Sequence, residues 1–234
     1  MMASPIGTRR RTALFFTRLF KSKGGLRRPG SEAYKVVQSQ DVFSTGMSQI
    51  FEPAPDAGIH DLERFLRTRL AAPLPGAEAQ RRFAPVPLLP GWSPDLTPAT
   101  ARRAAALLLF YPSGTGPTLA LTVRHTSLPH HAGQISLPGG GLEPGESLEA
   151  AATREAEEEI GVAPDRLRLV GALSPLWIPV SNFVVTPFVA VTDERPAFRL
   201  HPGEVEALVE VPLSHLRDPA QIRDRKSVVE GKSV

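Results

Sequence analysis

Residues 139–161 (GGGLEPGESLEAAATREAEEEIG) constrain the fold more than any other stretch, because a glycine turn runs straight into a helix with charges on its apolar side. Pro144-Gly145 suits a tight turn, Ser147 an N-cap and Gly161 a left-handed stop, which predicts a helix over 147–160. At about 100° per residue, Leu148, Ala151, Ala152, Ala156 and Ile160 form one stripe. Glu155, Glu158 and Glu159 share an arc of about 100°, and Glu155 and Glu159 overlap that stripe. Carboxylates spaced i, i+3 and i+4 repel one another by a few tenths of a kcal/mol per pair in water, and by more beside apolar surface. A hard divalent cation, Mg2+ or Mn2+, removes the conflict by accepting several carboxylate oxygens. The pattern predicts a metal site. A solvated acidic face is the alternative, and it is the reading that suits Glu149 and Glu157.

The rest of the chain reads as one domain around this unit. With 234 residues, 41% of them apolar, it can bury one core of ordinary size, and no run approaches the ~20 apolar residues of a membrane span. The absence of cysteine excludes disulfides, thiolate metal sites and a cysteine nucleophile, so metal ligands must be oxygen or imidazole. Leu62, Phe65, Leu66 and Leu70 recur at helical spacing over 60–72. Seven prolines make 72–98 extended and irregular. Strands are predicted over 104–111 and 118–124, parted by a turn at Pro112-Ser113-Gly114, and again over 168–173, 183–192 and 205–211. Strands on both sides of a central helix, without an internal repeat, give an α/β or α+β class.

The two ends differ from the body. Residues 1–46 hold nine Lys/Arg against two Asp/Glu, whereas 47–223 hold fifteen against twenty, with every basic residue there an arginine. The head resembles a transit peptide in composition, and its clustered cations also suit phosphate neutralisation. The preferred reading is an unstructured leader, or else a misplaced upstream start codon with Met47 as the true first residue. Residues 224–234 (DRKSVVEGKSV) resemble the translation of a sequencing-library adapter, so the natural chain is expected to continue beyond about Arg223, with the domain truncated at its C-terminus. The domain itself is assigned to 47–223, with its core over about 100–223.

Gly140, Glu146 and Arg154-Glu155-Ala156-Glu157-Glu158-Glu159-Ile160-Gly161-Val162 together resemble the Nudix box. The resemblance implies an α/β/α sandwich with a mixed sheet, in which the box forms a loop-helix-loop. It also implies hydrolysis of a diphosphate linked to another group. Glu155, Glu158 and Glu159, with the Gly140 carbonyl, would hold Mg2+ or Mn2+, while Arg154 and Glu146 would brace the loop. Glu158 and Glu204 are the candidates to take a proton from the attacking water.

A second resemblance narrows the substrate. Leu121-Thr122-Val123-Arg124 and Gly133-Gln134-Ile135-Ser136-Leu137-Pro138-Gly139-Gly140 are similar to the upstream signature of coenzyme A pyrophosphatases within that family. Ser174 to Val191 and Glu204 to Leu213 resemble later segments. This implies coenzyme A as substrate, cleaved to 4′-phosphopantetheine and 3′,5′-ADP, with Arg124, Gly133 and Gly139 in contact with it; His130 and His131 are candidates to contact phosphate when protonated, an exposed loop pair being the alternative. Three positions depart from the signature: His125 stands for a small residue, Pro129 for a second arginine and Leu137 for a phenylalanine. Another nucleoside diphosphate derivative, such as NADH, ADP-ribose or a dinucleotide, is the alternative substrate, and a nucleotide-binding module without turnover the alternative class. The expected location is cytoplasmic, or organellar if the head is a transit peptide. Membrane and nucleic-acid partners are not expected, and a homodimer is left open.

Overall fold

The computed structural model describes residues 35–36, 57–82, 84–86, 92–128, 131–179 and 181–221; the rest of the basic head, His130 and the 224–234 tail lie outside the described residues. Strand β1 (Lys35–Val36) pairs with a short strand of the proline-rich connector; helix α1 (Ile59–Leu70) follows it. The connector was expected to be irregular throughout. It instead contains helix α2 (Ala77–Arg82) and then β2 (Pro85–Val86), the partner of β1, because its prolines leave 76–84 free of ring constraints.

The body is one mixed sheet. Its strands are β3 (Arg102–Ser113), β4 (Gly116–Arg124), β5 (Ile135–Ser136) and β6 (Gly139–Gly141), then, after helix α3 (Leu148–Ile160), β7 (Arg168–Ala172), β8 (Leu176–Ile178), β9 (Phe183–Val191) and β10 (Val205–Pro212). The main order is β10-β4-β3-β9-β7, with β5 on β4, β6 on β3 and β8 on β9. β3 and β9 run parallel and the other pairs antiparallel. The unbroken apolar run of β3 follows from that position, since a central strand is covered on both faces. The β3–β4 hairpin is tighter than expected: Ser113 pairs with Gly116, so Gly114-Thr115 form the turn and Pro112 stays within the strand. The short strands β5, β6 and β8 carry no alternation of their own and form only because longer neighbours supply their hydrogen bonds.

Helices cover both faces. On one, Ala151, Ala152, Ala156 and Ile160 of α3 pack on Ala105, Leu107, Leu109, Tyr111, Ala120 and Ala190. On the other, Ile59 and Leu62 of α1, with Leu213 of the terminal helix α4 (Leu213–Arg217), meet Phe110, Leu119, Leu121, Val189 and Val191. Each buried leucine, isoleucine, valine or phenylalanine contributes about 1.5–3 kcal/mol, and each alanine less. The α1 contact is close, for a Cβ added at Gly171 would stand 3.0 Å from the Leu70 side chain. Arg168 also donates to the shielded carboxylate of Glu63 at 3.0 Å. An α/β/α sandwich results, as expected from the box.

Candidate active site

Small residues bring the box against the sheet. Ala104, Ala105 and Ala106 of β3 pair with Gly141, Gly140 and Gly139. A Cβ at Gly139 would sit 2.5 Å from the Ala105 carbonyl oxygen, so no larger residue fits. The chain then turns at Gly145 (φ +81°), where the Glu146 N–H donates to the Glu143 carbonyl at 3.1 Å. Ser147 caps α3 by accepting from the Ala150 N–H at 3.1 Å, and Gly161 ends it with φ 70°.

Arg154 is the hub of the unit. Its Nε and Nη2 donate to the two oxygens of Glu146 at 2.9 and 3.1 Å, and Nη2 also reaches the Gly141 carbonyl at 3.1 Å. This two-pronged pairing holds the Glu146 carboxyl below its ordinary range and raises the already high guanidinium pKa. Nη1 bridges Glu155 at 2.9 Å and Glu158 at 3.0 Å.

The three glutamates occupy different environments, with the two that overlap the apolar stripe more buried than Glu158. The Glu159 side chain is 4% exposed, Glu155 14% and Glu158 55%. Burial pushes Glu159 up to about 7, with Glu155 and Glu204 adding to the rise against the opposing effects of Arg124 and the Gly139 N–H. Burial also raises Glu155, Arg154 opposes it, and Glu158 and Glu204 add to it. Among the described residues no three carboxylates or imidazoles converge closely enough to hold an ion as they stand. Arg154 draws Glu155 and Glu158 to one nitrogen, while Glu159 turns towards Arg124.

Two features nevertheless fit a hard cation and an anionic ligand. Oε2 of Glu159 is buried without a hydrogen-bond partner among the described residues. A Cβ on Gly140 would lie 2.3 Å from Glu155 Oε1, so the bare glycine is the cradle that admits this carboxylate. The donor set is carboxylate and carbonyl oxygen, suited to Mg2+ or Mn2+.

The remaining predicted residues divide. Arg124, at the end of β4, places Nη1 3.9 Å from Glu159 Oε1, and its Nε is buried without a hydrogen-bond partner among the described residues. Glu204 enters β10 directly beside it: Val205 pairs with Arg124, and the Glu204 carbonyl accepts from the His125 N–H at 2.8 Å. The Gly139 N–H reaches Glu159. Gly133 (φ +68°) serves the β4–β5 hairpin, its N–H donating to the Arg124 carbonyl at 2.9 Å. His131 turns back within the same loop, with Nδ1 3.1 Å from Gln134 Oε1.

Sequence reasoning missed one structural contributor, the irregular return that follows β9. Along it, Arg199 N–H donates to the Ile160 carbonyl at 2.9 Å and His201 N–H to the Glu159 carbonyl at 3.0 Å, closing the end of α3. Pro202-Gly203 signalled only a turn.

The NUDIX domain family model matches residues 100–230, more than half of the chain. The chain belongs to the NUDIX family. It is 39% identical over 121 residues to the uncharacterized Nudix hydrolase NudL of Pectobacterium atrosepticum, covering 51% of this chain and 62% of that protein. The NudL of Citrobacter koseri is 39% identical over 114 residues, covering 48% and 59%. The match thus spans about three fifths of these NUDIX relatives. Among solved structures, the Nudix hydrolase RenU of M. smegmatis overlays with a TM-score of 0.42 at 26% identity, covering 48% of this chain and 71% of that one. The NUDIX domain of Shewanella oneidensis NrtR, complexed with ADP ribose, overlays at 0.40 and 18% identity, covering 54% and 82%.

Proposed function

We propose that this NUDIX protein hydrolyses a diphosphate linkage in a nucleoside-derived small molecule, with coenzyme A as the favoured substrate and Mg2+ or Mn2+ as cofactor. The observation that carries the reading is the buried pair of opposite, incompletely satisfied groups: Glu159 Oε2 and Arg124 Nε both lack a partner among the described residues. A buried group left unpaired costs on the order of 1–3 kcal/mol, so both are built to meet something from outside.

Glu155, Glu158, Glu159 and the Gly140 carbonyl would hold the cation, which supplies charge neutralisation to the diphosphate oxygens. Arg124 binds a phosphate oxygen from the opposite wall. Glu204 or Glu158 accepts a proton from water as it attacks phosphorus; the phosphorus–oxygen bond on the far side breaks, and the leaving phosphate departs with the electron pair. Arg154 and Glu146 keep the box in register. The upstream signature around Arg124 favours coenzyme A, while Pro129 in place of the second arginine keeps ADP-ribose, NADH and dinucleoside polyphosphates in contention.

The test is a panel of these compounds with Mg2+ or Mn2+ and product identification. Coenzyme A should give 4′-phosphopantetheine and 3′,5′-ADP, and Glu159→Gln should abolish turnover without unfolding the protein. Nucleotide binding without turnover of any compound would overturn the hydrolase reading in favour of a binding module.

A further inference from the structure

We infer that His201 is a positioning residue for Glu204: its imidazole closes the turn that holds Glu204 between the end of α3 and the end of β4. This rests on the reading of Glu204 as a proton acceptor and adds a residue that neither the box nor the upstream signature contains.

Glu204 lies in an irregular turn, His201-Pro202-Gly203-Glu204, and an exposed turn of this kind has many conformations unless something selects one. Four main-chain hydrogen bonds make the selection. His201 donates to the Glu159 carbonyl at 3.0 Å, at the end of α3. The His201 carbonyl accepts from Glu204 at 3.1 Å and from Val205 at 3.0 Å. The Glu204 carbonyl accepts from His125 at 2.8 Å, next to Arg124. Residue 201 thus joins the helix of the carboxylates to the strand of Arg124 through Glu204.

The side chain completes the turn. Nδ1 of His201 accepts from the Gly203 N–H at 3.3 Å, two residues on, the same local bond that Asn or Asp makes in an Asx-turn. The same nitrogen stands 4.0 Å from Glu204 Oε1, so the ring also walls one side of that carboxylate. Val205, the next residue, pairs with Arg124 and is buried. A shift in register between Val205 and Ala207 keeps Val205 paired with Arg124 while the rest of β10 follows β4. The imidazole needs only its acceptor nitrogen for this role, which separates it from a proton carrier.

The experiment is kinetic, on the full chain with the best substrate of the panel and saturating Mg2+. His201→Ala should lower kcat by about tenfold with KM changed less than about twofold, because binding groups are untouched. His201→Asn, which restores an acceptor two residues before the Gly203 N–H, should recover kcat to within about twofold. In a Glu204→Gln background, His201→Ala should cost nothing further, since both act through one group. Equal losses in the Ala and Asn variants, or an additive loss in the double variant, would overturn the proposal. An unchanged kcat in His201→Ala alongside a slow Glu204→Gln would overturn it while leaving the Glu204 reading intact. A Glu204→Gln variant as fast as the parent would instead remove the reading beneath it. Thermal melting of each variant identifies any that lose activity by unfolding.

Discussion

Replacing Gly140 by alanine separates the fold from the site. The added Cβ would stand 2.3, 2.4 and 2.6 Å from Oε1, Cδ and Oε2 of Glu155. Ordinary contact near 3.5 Å requires the carboxylate to retreat by about 1 Å. The obstacle is the far end of a flexible side chain and not backbone, so the sheet need not move. The stability cost is the strained or lost bond from Arg154 Nη1 to Glu155, about 1–3 kcal/mol for a charged partner. The functional cost is of similar size in energy but falls wholly on the rate, because a 1 Å misplacement of a group that positions reactants costs up to about 100-fold, or about 2.7 kcal/mol. Metal-dependent turnover and urea unfolding, measured on the same preparation, should therefore diverge: a folded protein with a severely reduced kcat. Gly139→Ala is the contrast, since its Cβ would meet the Ala105 carbonyl and Ala106 Cα at 2.5 and 2.7 Å, and there the fold itself should fail. A Gly140→Ala enzyme within about threefold of the parent, with the same metal requirement, would refute the reasoning.

Two further outcomes follow from the buried groups. Glu159 has its folded pKa raised to about 7 against an ordinary 4.5, so the native state binds the proton more tightly and stability falls as pH rises between those values. Glu159→Gln should therefore be more stable than the parent at pH 8, by on the order of 3 kcal/mol, with the gap closing towards pH 4.5; parallel stability profiles would contradict this. Leu62→Ala on α1 should cost about 3 kcal/mol in chemical denaturation although it lies outside residues 100–230, because Leu62 is 1% exposed beneath the sheet; a negligible loss would show that α1 is not part of the folded unit.

Much of the site was legible because its determinants are local. The turn at Gly145, the Ser147 cap, the Gly161 stop and the sharing of one helical arc by Glu155, Glu158 and Glu159 depend on residues within a few positions of one another. That Glu155 and Glu159 lie on the apolar side followed from the helical stripe; that Glu159 is the more deeply buried of the two did not. The brace between Arg154 and Glu146, eight residues apart, was implied by resemblance and depends on the loop folding back over the helix start.

What the amino-acid order determined by itself was therefore the loop-helix unit and the apolar centre of the sheet, since turn chemistry and periodicity act over a few residues. Only the tertiary structure decided what faces that unit. Arg124 meets Glu159 because β4 and α3 are placed together by a shared core, and α1 closes the second face from far upstream. The return through His201 ties Glu204 to the end of α3 by backbone hydrogen bonds, which leave no signature in side-chain pattern. The physical division is one of range: local torsions and caps are written in neighbouring residues, whereas burial of a charge depends on every element packed around it.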